Sequence, residues 1–436
     1  MANTISMDLI KTYAKKLSNK DFVENISLEK ENYIKINGSN FYPYELISMS
    51  HGLPGLCFLY NDLSQLFPEE EWIYKMNDYI QEIMHDLQKS NLINPSLFSG
   101  YAGLGTLLTI CSKDREYYSK YKESINIYLK ELTQVFLKNI NKNKDLVIAS
   151  YDTMQGLAGI LNYLMLTKEN RDFFNTEIEK ILKYFISLSK DKLIDEKKIP
   201  GWFITSNNLF LDEERYIYPD GVINLGLSHG ISGPLVVMST ALNYGYFKDD
   251  LPKAIEFVGN ILVDSMDKKH ETWTSMLDVK YYNKNYEKDF ECRDAWCYGR
   301  PGVAFALLKA SIVLQNESFY DIAVSAMKAS IQNEVGITSP TFCHGYAGVA
   351  YIFYKFYKLT DDKDFLNEAN RLSKEIVAFH SENAPFGFQN IEFEDNNKMK
   401  YINGIGLLDG VSGIYLVLSS IMNDKEGEWD AMFLLN

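Results

Sequence analysis

The sequence predicts an all-α fold: an α/α toroid, a double barrel of about seven inner and seven outer helices, with small β-containing insertions at one rim. Three observations predict it. A Gly-x-x-Gly step recurs seven times in 436 residues, each step opens a stretch apolar on nearly all sides, and amphipathic stretches lie between them. A helix apolar all round is a buried one, so each step starts an inner helix and the intervening stretches supply the outer set.

In chain order the steps are Ser50-His-Gly-Leu-Pro-Gly55, Ser99-Gly-Tyr-Ala-Gly103, Gln155-Gly-Leu-Ala-Gly159, Ser228-His-Gly-Ile-Ser-Gly233, Cys297-Tyr-Gly-Arg-Pro-Gly302, Cys343-His-Gly-Tyr-Ala-Gly348 and Asp409-Gly-Val-Ser-Gly413. Their first glycines lie 48, 56, 74, 69, 46 and 65 residues apart. One such step is noise, because glycine is common. Seven, each followed by a run such as Val303-Ala-Phe-Ala-Leu-Leu or Val349-Ala-Tyr-Ile-Phe-Tyr, form a repeat. Glycine in the first turn lets neighbouring backbone approach closely and leaves N–H groups facing inward.

Between the steps, Ile178, Ile181, Leu182, Phe185 and Ile186 follow the i, i+3, i+4, i+7, i+8 spacing of an amphipathic helix. Leu251 to Met266, Asp321 to Gln332 and Phe365 to Phe379 read the same way, as outer helices. An open solenoid would alternate similarly. Closure is favoured because both end repeats keep apolar inner helices and neither resembles a polar cap. The expectation is a single domain over 1–436, with residues 197–224 as an extension insert at the active-site rim. Within that insert, Gly201-Trp-Phe-Ile-Thr, Asn208-Leu-Phe-Leu and Tyr216-Ile-Tyr-Pro-Asp-Gly read as short extended segments with turns. Thr272 to Cys292 and Phe386 to Ile405 read likewise, the latter with a turn at Glu394-Asp-Asn-Asn. Each precedes a glycine step, so all should gather at the rim and shape a substrate groove.

Composition bounds the function. A chain 46% hydrophobic and 23% charged has ample material for a core, and its net charge of −14 argues against nucleic acid and against docking on an anionic membrane. No signal-type N-terminus and no membrane-length apolar run is evident, so the expectation is a cytoplasmic protein. Five cysteines at scattered spacings make no disulfide framework. Cys57 and Cys111 read as core thiols, which leaves Cys292, Cys297 and Cys343 to explain.

Cys297 and Cys343 each stand two residues before the first glycine of a step, and His344 follows Cys343 directly. If the steps are equivalent points in a repeat, these three can meet as a Cys2His set, the form of a catalytic zinc site with one position open. The bland alternative is two buried thiols and a hydrogen-bonded histidine. Zinc suits the set because thiolate and imidazole are borderline-soft donors, and two thiolates suit the activation of an incoming thiol. His229 has the register of His344 and reads either as a helix-start histidine or as a general acid or base. Asp152 can orient His229, Arg293 can stabilise developing negative charge and Tyr298 can donate a hydrogen bond; exposed ion pairs or a core aromatic are the alternatives. His51 has the same register in the first step, but nothing beside it singles it out.

The segments Ser228-His-Gly-Ile-Ser-Gly, Arg293-Asp-Ala-Trp-Cys-Tyr-Gly-Arg-Pro-Gly and Cys343-His-Gly-Tyr-Ala-Gly resemble the signatures of the lanthionine synthetase C family, the cyclases of class I lantibiotic biosynthesis. The resemblance runs over essentially the whole chain. It implies one Zn2+ held by Cys297, Cys343 and His344, proton transfer by His229 and Asp152, and Arg293 and Tyr298 beside the metal. It implies an enzyme that adds cysteine thiols to dehydroalanine or dehydrobutyrine in a dehydrated precursor peptide, forming lanthionine or methyllanthionine rings. The implied partners are that leader-bearing precursor, a separate dehydratase and a peptide exporter. They would place the protein at the inner membrane face only through partner proteins. The seven repeats and their inserts are expected to use all 436 residues, leaving no appended dehydratase domain. Competing readings are a zinc thiol-alkylating transferase of prenyltransferase type, a non-catalytic peptide-binding scaffold with structural zinc, and an α/α glycosidase, for which no carboxylate pair is evident.

Overall fold

The structure is a computed structural model that describes residues 6–36, 39–112, 117–142, 145–194, 196–282, 293–393 and 398–436. The elements run α1 (Met7–Leu17), α2 (Lys20–Ser27), β1 (Ile34–Ile36), β2 (Ser39–Phe41), α3 (Leu53–Leu66), α4 (Trp72–Lys89), α5 (Tyr101–Ser112) and α6 (Ser119–Ile140). Next come α7 (Leu157–Met165), α8 (Lys168–Phe173), α9 (Asn175–Leu188), β3 (Asp191–Ile194), β4 (Lys197–Pro200), α10 (Asp212–Ile217), β5 (Val222–Asn224), α11 (Ser232–Asn243), α12 (Leu251–Asp264) and β6 (Met276–Asp278). The chain ends with α13 (Arg300–Leu314), α14 (Glu317–Gln332), α15 (Tyr346–Thr360), α16 (Lys363–Ala378), β7 (Asn390–Phe393), β8 (Met399–Ile402) and α17 (Val411–Met422). Cys292 and the turn expected at Glu394-Asp-Asn-Asn lie outside the described residues. No helix among the described residues is long and apolar enough to cross a membrane.

Each glycine step opens a helix, giving α3, α5, α7, α11, α13, α15 and α17 as the inner set. Their sequences bury on every side: all residues of α7, Leu157 to Met165, are buried. The expected outer helices appear as α9, α12, α14 and α16, joined by α4 and α6. In α9 the buried face is Ile178, Ile181, Leu182, Phe185 and Leu188, while the expected Ile186 is half-buried. Among the described residues the last inner helix, α17, is followed only by a short 3-10 helix at Glu428–Phe433; α1, from the other end of the chain, packs against both α17 and α3.

The chain divides into two compact units. One comprises 1–94, 98–123 and 337–430; the other comprises 95–97, 124–336 and 431–436. Within each, neighbouring steps are joined by backbone. The residue three before the first glycine of one step donates its N–H to the carbonyl of the residue two before that of the next. In the second unit Thr153 donates to Ser228 at 3.0 Å and Leu227 to Cys297 at 3.0 Å. In the first, Phe342 donates to Leu408 at 3.2 Å and Met49 to Phe98 at 2.9 Å, while Leu408 joins Ser50 at 3.3 Å where the last step meets the first. The second glycine seats the helix on its own loop: a Cβ at Gly302 would lie 2.2 Å from the carbonyl oxygen of Trp296, and one at Gly413 the same distance from that of Leu407. In the first unit the last repeat packs on the first, through Ser419 Oγ donating to Asp62 at 2.6 Å and an Asn32–Asn403 pair at 2.8 and 2.9 Å. An open solenoid would keep those repeats apart.

The strands form four two-stranded antiparallel sheets, β1–β2, β3–β4, β5–β6 and β7–β8, all in segments that lead into glycine steps. Two stretches of the 197–224 region differ from the extended reading. Residues 206–208 form a 3-10 turn and α10 takes in Tyr216 and Ile217. Three consecutive carboxylates, Asp212, Glu213 and Glu214, favour a helix start, and Glu214 accepts the Leu211 N–H at 3.1 Å.

In the first unit a buried cation ties α15 to the segment after α17. Lys355 is 6% exposed; its Nζ donates to Asp430 at 3.0 Å and to Glu426, and Tyr351 Oη donates to the same Asp430 carboxylate at 3.0 Å. Burial opposes its charge, but the Asp430 and Glu426 carboxylates outweigh it and hold the ammonium above its usual pKa. The lysine's own contribution is therefore full below its unfolded value, roughly pH 10.4, and is lost as pH rises through the raised value. Burial pushes the Asp430 carboxyl up, so the pair weakens in acid as that carboxylate takes a proton. Lys355→Met leaves Asp430 buried without a counter-charge and should cost about 3–5 kcal/mol. Denaturant unfolding at pH 7 measures it, and the Lys355→Met, Asp430→Leu double variant should recover much of the loss.

Candidate active site

In the second unit the starts of α7 and α11 bring together Asp152 and His229. Asp152 is fully buried, and its Oδ1 accepts the N–H groups of Gln155 at 2.8 Å and Gly156 at 2.6 Å, in the turn that leads into α7. Its Oδ2 stands 2.5 Å from His229 Nδ1. An ionised carboxylate only accepts, so Nδ1 carries the proton and Nε2 is the imidazole nitrogen left for other chemistry. The His229 side chain is 29% exposed, and the ring of Phe210, from the loop before α10, meets it edge-on at 5.8 Å.

Cys297 sits in the loop before α13 and is 6% exposed. Its carbonyl accepts the N–H of Leu227, so the fourth step fixes the backbone that carries the thiol. On one side Trp296 is fully buried and donates Nε1–H to Phe433 at 3.0 Å. On the other, the loop is clamped by a buried pair: Arg300 donates from Nε and NH2 to the two Asp294 oxygens at 2.8 and 2.6 Å. Asp294 also accepts Ser330 Oγ at 3.0 Å and the Val335 N–H at 3.2 Å. Tyr298 is half-buried; Asn224 donates to its hydroxyl at 3.3 Å, and burial raises its pKa so that it stays a phenol. Its ring lies so close to Gly226 that a Cβ there would sit 2.4 Å from it. Arg293 is exposed at the mouth of this loop.

In the first unit, Cys343 and His344 sit half-buried at the start of α15, with the Cys343 N–H donating to Leu408 at 3.0 Å. His344 Nε2 stands 3.2 Å from Glu392 Oε1 on β7, and Nδ1 is 4.0 Å from Asp409 Oδ1. Cys57 and Cys111 are core thiols as expected, 0% and 2% exposed, with burial pushing both pKa values up. Reasoning from sequence missed Phe210, Asn224, Glu392 and the Asp294–Arg300 clamp. Only the clamp left a signal, a carboxylate and a guanidinium flanking Cys297 inside the motif.

Comparison with known proteins gives one direction. A family model described as lanthionine synthetase C-like protein matches residues 45–434. The nisin biosynthesis protein NisC of Lactococcus lactis subsp. lactis is 29% identical over 405 residues, 91% of this chain and 90% of its own. The glutathione S-transferase LANCL1 of Danio rerio is 22% identical over 323 residues, 73% of this chain and 71% of its own. A solved structure of nisin cyclase matches with a TM-score of 0.81 at 24% identity, covering 98% of both chains. That likeness shows the fold class, the α/α toroid with small β insertions.

The Cys297 loop depends on Gly299, whose φ of +83° is left-handed and whose added Cβ would lie 1.9 Å from the Arg293 carbonyl oxygen. Gly299→Ala should destabilise by more than about 1 kcal/mol. Gly404→Ala, with nothing nearer than 3.3 Å, should cost less, and paired thermal unfolding curves compare them.

Proposed function

The chain belongs to the lanthionine synthetase C-like family, and from that membership we propose that it is a zinc-dependent lanthipeptide cyclase. Its substrate is a dehydrated precursor peptide with a leader, supplied by a separate dehydratase and passed to an exporter, in the cytoplasm or at the inner membrane face through those partners. The observation that carries the reading is the Asp152–His229 pair at 2.5 Å, a proton-transfer device at the start of an inner helix. The same register places thiols at Cys297 and Cys343 and an imidazole at His344.

These three side chains would hold the metal. Two thiols and an imidazole fit zinc by donor type, and a three-residue set leaves a position for a substrate sulfur. Bound there, zinc supplies Lewis acidity that lets a substrate cysteine lose its proton near neutral pH and remain nucleophilic. The sulfur bonds to the β-carbon of dehydroalanine or dehydrobutyrine, the π pair moves to the α-carbon, and the α-carbon takes a proton. Net, S–H adds across C=C. His229 exchanges the proton at Nε2, with Nδ1–H committed to Asp152, which orients the ring. Tyr298, kept as a phenol by burial, and Arg293 are the groups to stabilise negative charge developing on the substrate carbonyl.

The purified protein should carry about one zinc per chain. Cys297→Ala, Cys343→Ala or His344→Ala should abolish it, whereas Cys111→Ala should not. Incubated with dehydrated precursor, the protein should consume peptide thiols without a mass change, and a chelator should stop this. Thiols that persist with peptide bound would refute the cyclase reading. Loss that needs added glutathione and forms adducts would align the chain with the glutathione S-transferase relative. His229→Ala should slow ring closure roughly 10²–10⁴-fold with zinc content unchanged.

A further inference from the structure

We infer that Glu392 is the positioning residue for His344, holding its imidazole with the proton on Nε2 so that Nδ1 is the nitrogen offered to the metal; this rests on the zinc reading above. Among the described residues two carboxylates face this ring, and distance separates their roles. Glu392 Oε1 is 3.2 Å from Nε2, within hydrogen-bond reach, whereas Asp409 Oδ1 is 4.0 Å from Nδ1, beyond it. A carboxylate accepts and does not donate, so the nitrogen facing Glu392 is the N–H and the lone pair lies on Nδ1. Asp409 then stands on the lone-pair side, where it cannot hold the ring by a direct hydrogen bond.

Glu392 is itself held. Asn390 Nδ2 donates to Glu392 Oε1 at 2.8 Å, and the buried Asn390 accepts from Ser339 Oγ at 2.7 Å and Thr341 Oγ1 at 3.3 Å. Ser339 Oγ in turn accepts the Ile391 N–H at 3.2 Å, and the Ser339 carbonyl accepts the N–H of Tyr346 at 2.9 Å, in the first turn of α15. The network runs from the loop before His344, through β7, and back to the ring. Such a connected set of polar partners, anchored on the buried Ser339, Thr341 and Asn390, fixes an orientation rather than merely filling space. It also gives the 386–405 insert a defined task, delivery of one carboxylate to one histidine.

The test is zinc affinity, measured on folded, full-length protein by competition with a chromophoric zinc chelator. Glu392→Ala should weaken zinc binding by roughly 10–100-fold. Glu392→Gln, whose amide oxygen still accepts, should recover most of it, and Asp409→Asn should stay near wild type. A folded Glu392→Ala protein with wild-type zinc affinity, or a loss confined to Asp409→Asn, would overturn the assignment. Should Glu392→Ala fail to fold, 15N NMR of histidine-labelled wild-type protein reads the tautomer directly. An Nε2–H ring at His344 supports the assignment and an Nδ1–H ring refutes it. Wild-type protein that takes up no zinc would count against the zinc reading instead, and the tautomer in that metal-free protein would still decide the role of Glu392.

Discussion

The backbone hydrogen bonds between successive glycine steps are the constraint on which the rest of this structure depends. Within each unit, consecutive steps link the N–H three residues before one glycine to the carbonyl two residues before the next, as from Leu227 to Cys297 and from Phe342 to Leu408. Bonds of this kind require the loops to touch. Glycine lets an inner helix start close on its own preceding loop, as at Gly302 against the Trp296 carbonyl and Gly345 against that of Ser339, which sets the position of the loop. Repetition of the register then decides what the loops display. The residues just before the first glycines are His51, Ser99, Gln155, His229, Tyr298, His344 and Asp409. All are polar or phenolic and none is fully buried, in contrast to the apolar helices they precede.

Buried charge reinforces the same loops. The Asp294–Arg300 pair brackets the residues that carry Cys297, and Asp152 both ties down the turn leading into α7 and holds His229. Each charge is paired, because a lone one in these surroundings would cost more than the packing returns. In the first unit the Lys355–Asp430 pair fastens α15, the helix that begins beside Cys343 and His344. These pairs thus lend rigidity to the loops that would hold a metal under the proposed function.

The β insertions supply what a bare repeat cannot. A helix start offers one side chain per step, but the histidines at two of these starts, His229 and His344, each have a group from outside the repeat against the ring. Phe210 meets His229 edge-on from the loop before α10, and Glu392 reaches His344 from β7. The two histidines share a register and differ in their carboxylate. Asp152 engages Nδ1 of His229, and Glu392 engages Nε2 of His344, so the two rings are held by opposite nitrogens.

The sequence by itself determined the inner helices, most of the outer ones and the register that places Cys297, Cys343, His344 and His229 in equivalent loops. These are local signals: apolar residues on all sides mark a buried helix, and a glycine pair marks its start. Only the tertiary structure decided that α1 covers the last repeat, that α10 is helical, and that Glu392 and Phe210 each stand against a histidine. Those outcomes depend on which distant segments stack together. Glu392 lies 48 residues from His344 in the chain, and no periodicity in either segment encodes a contact set by the packing between them.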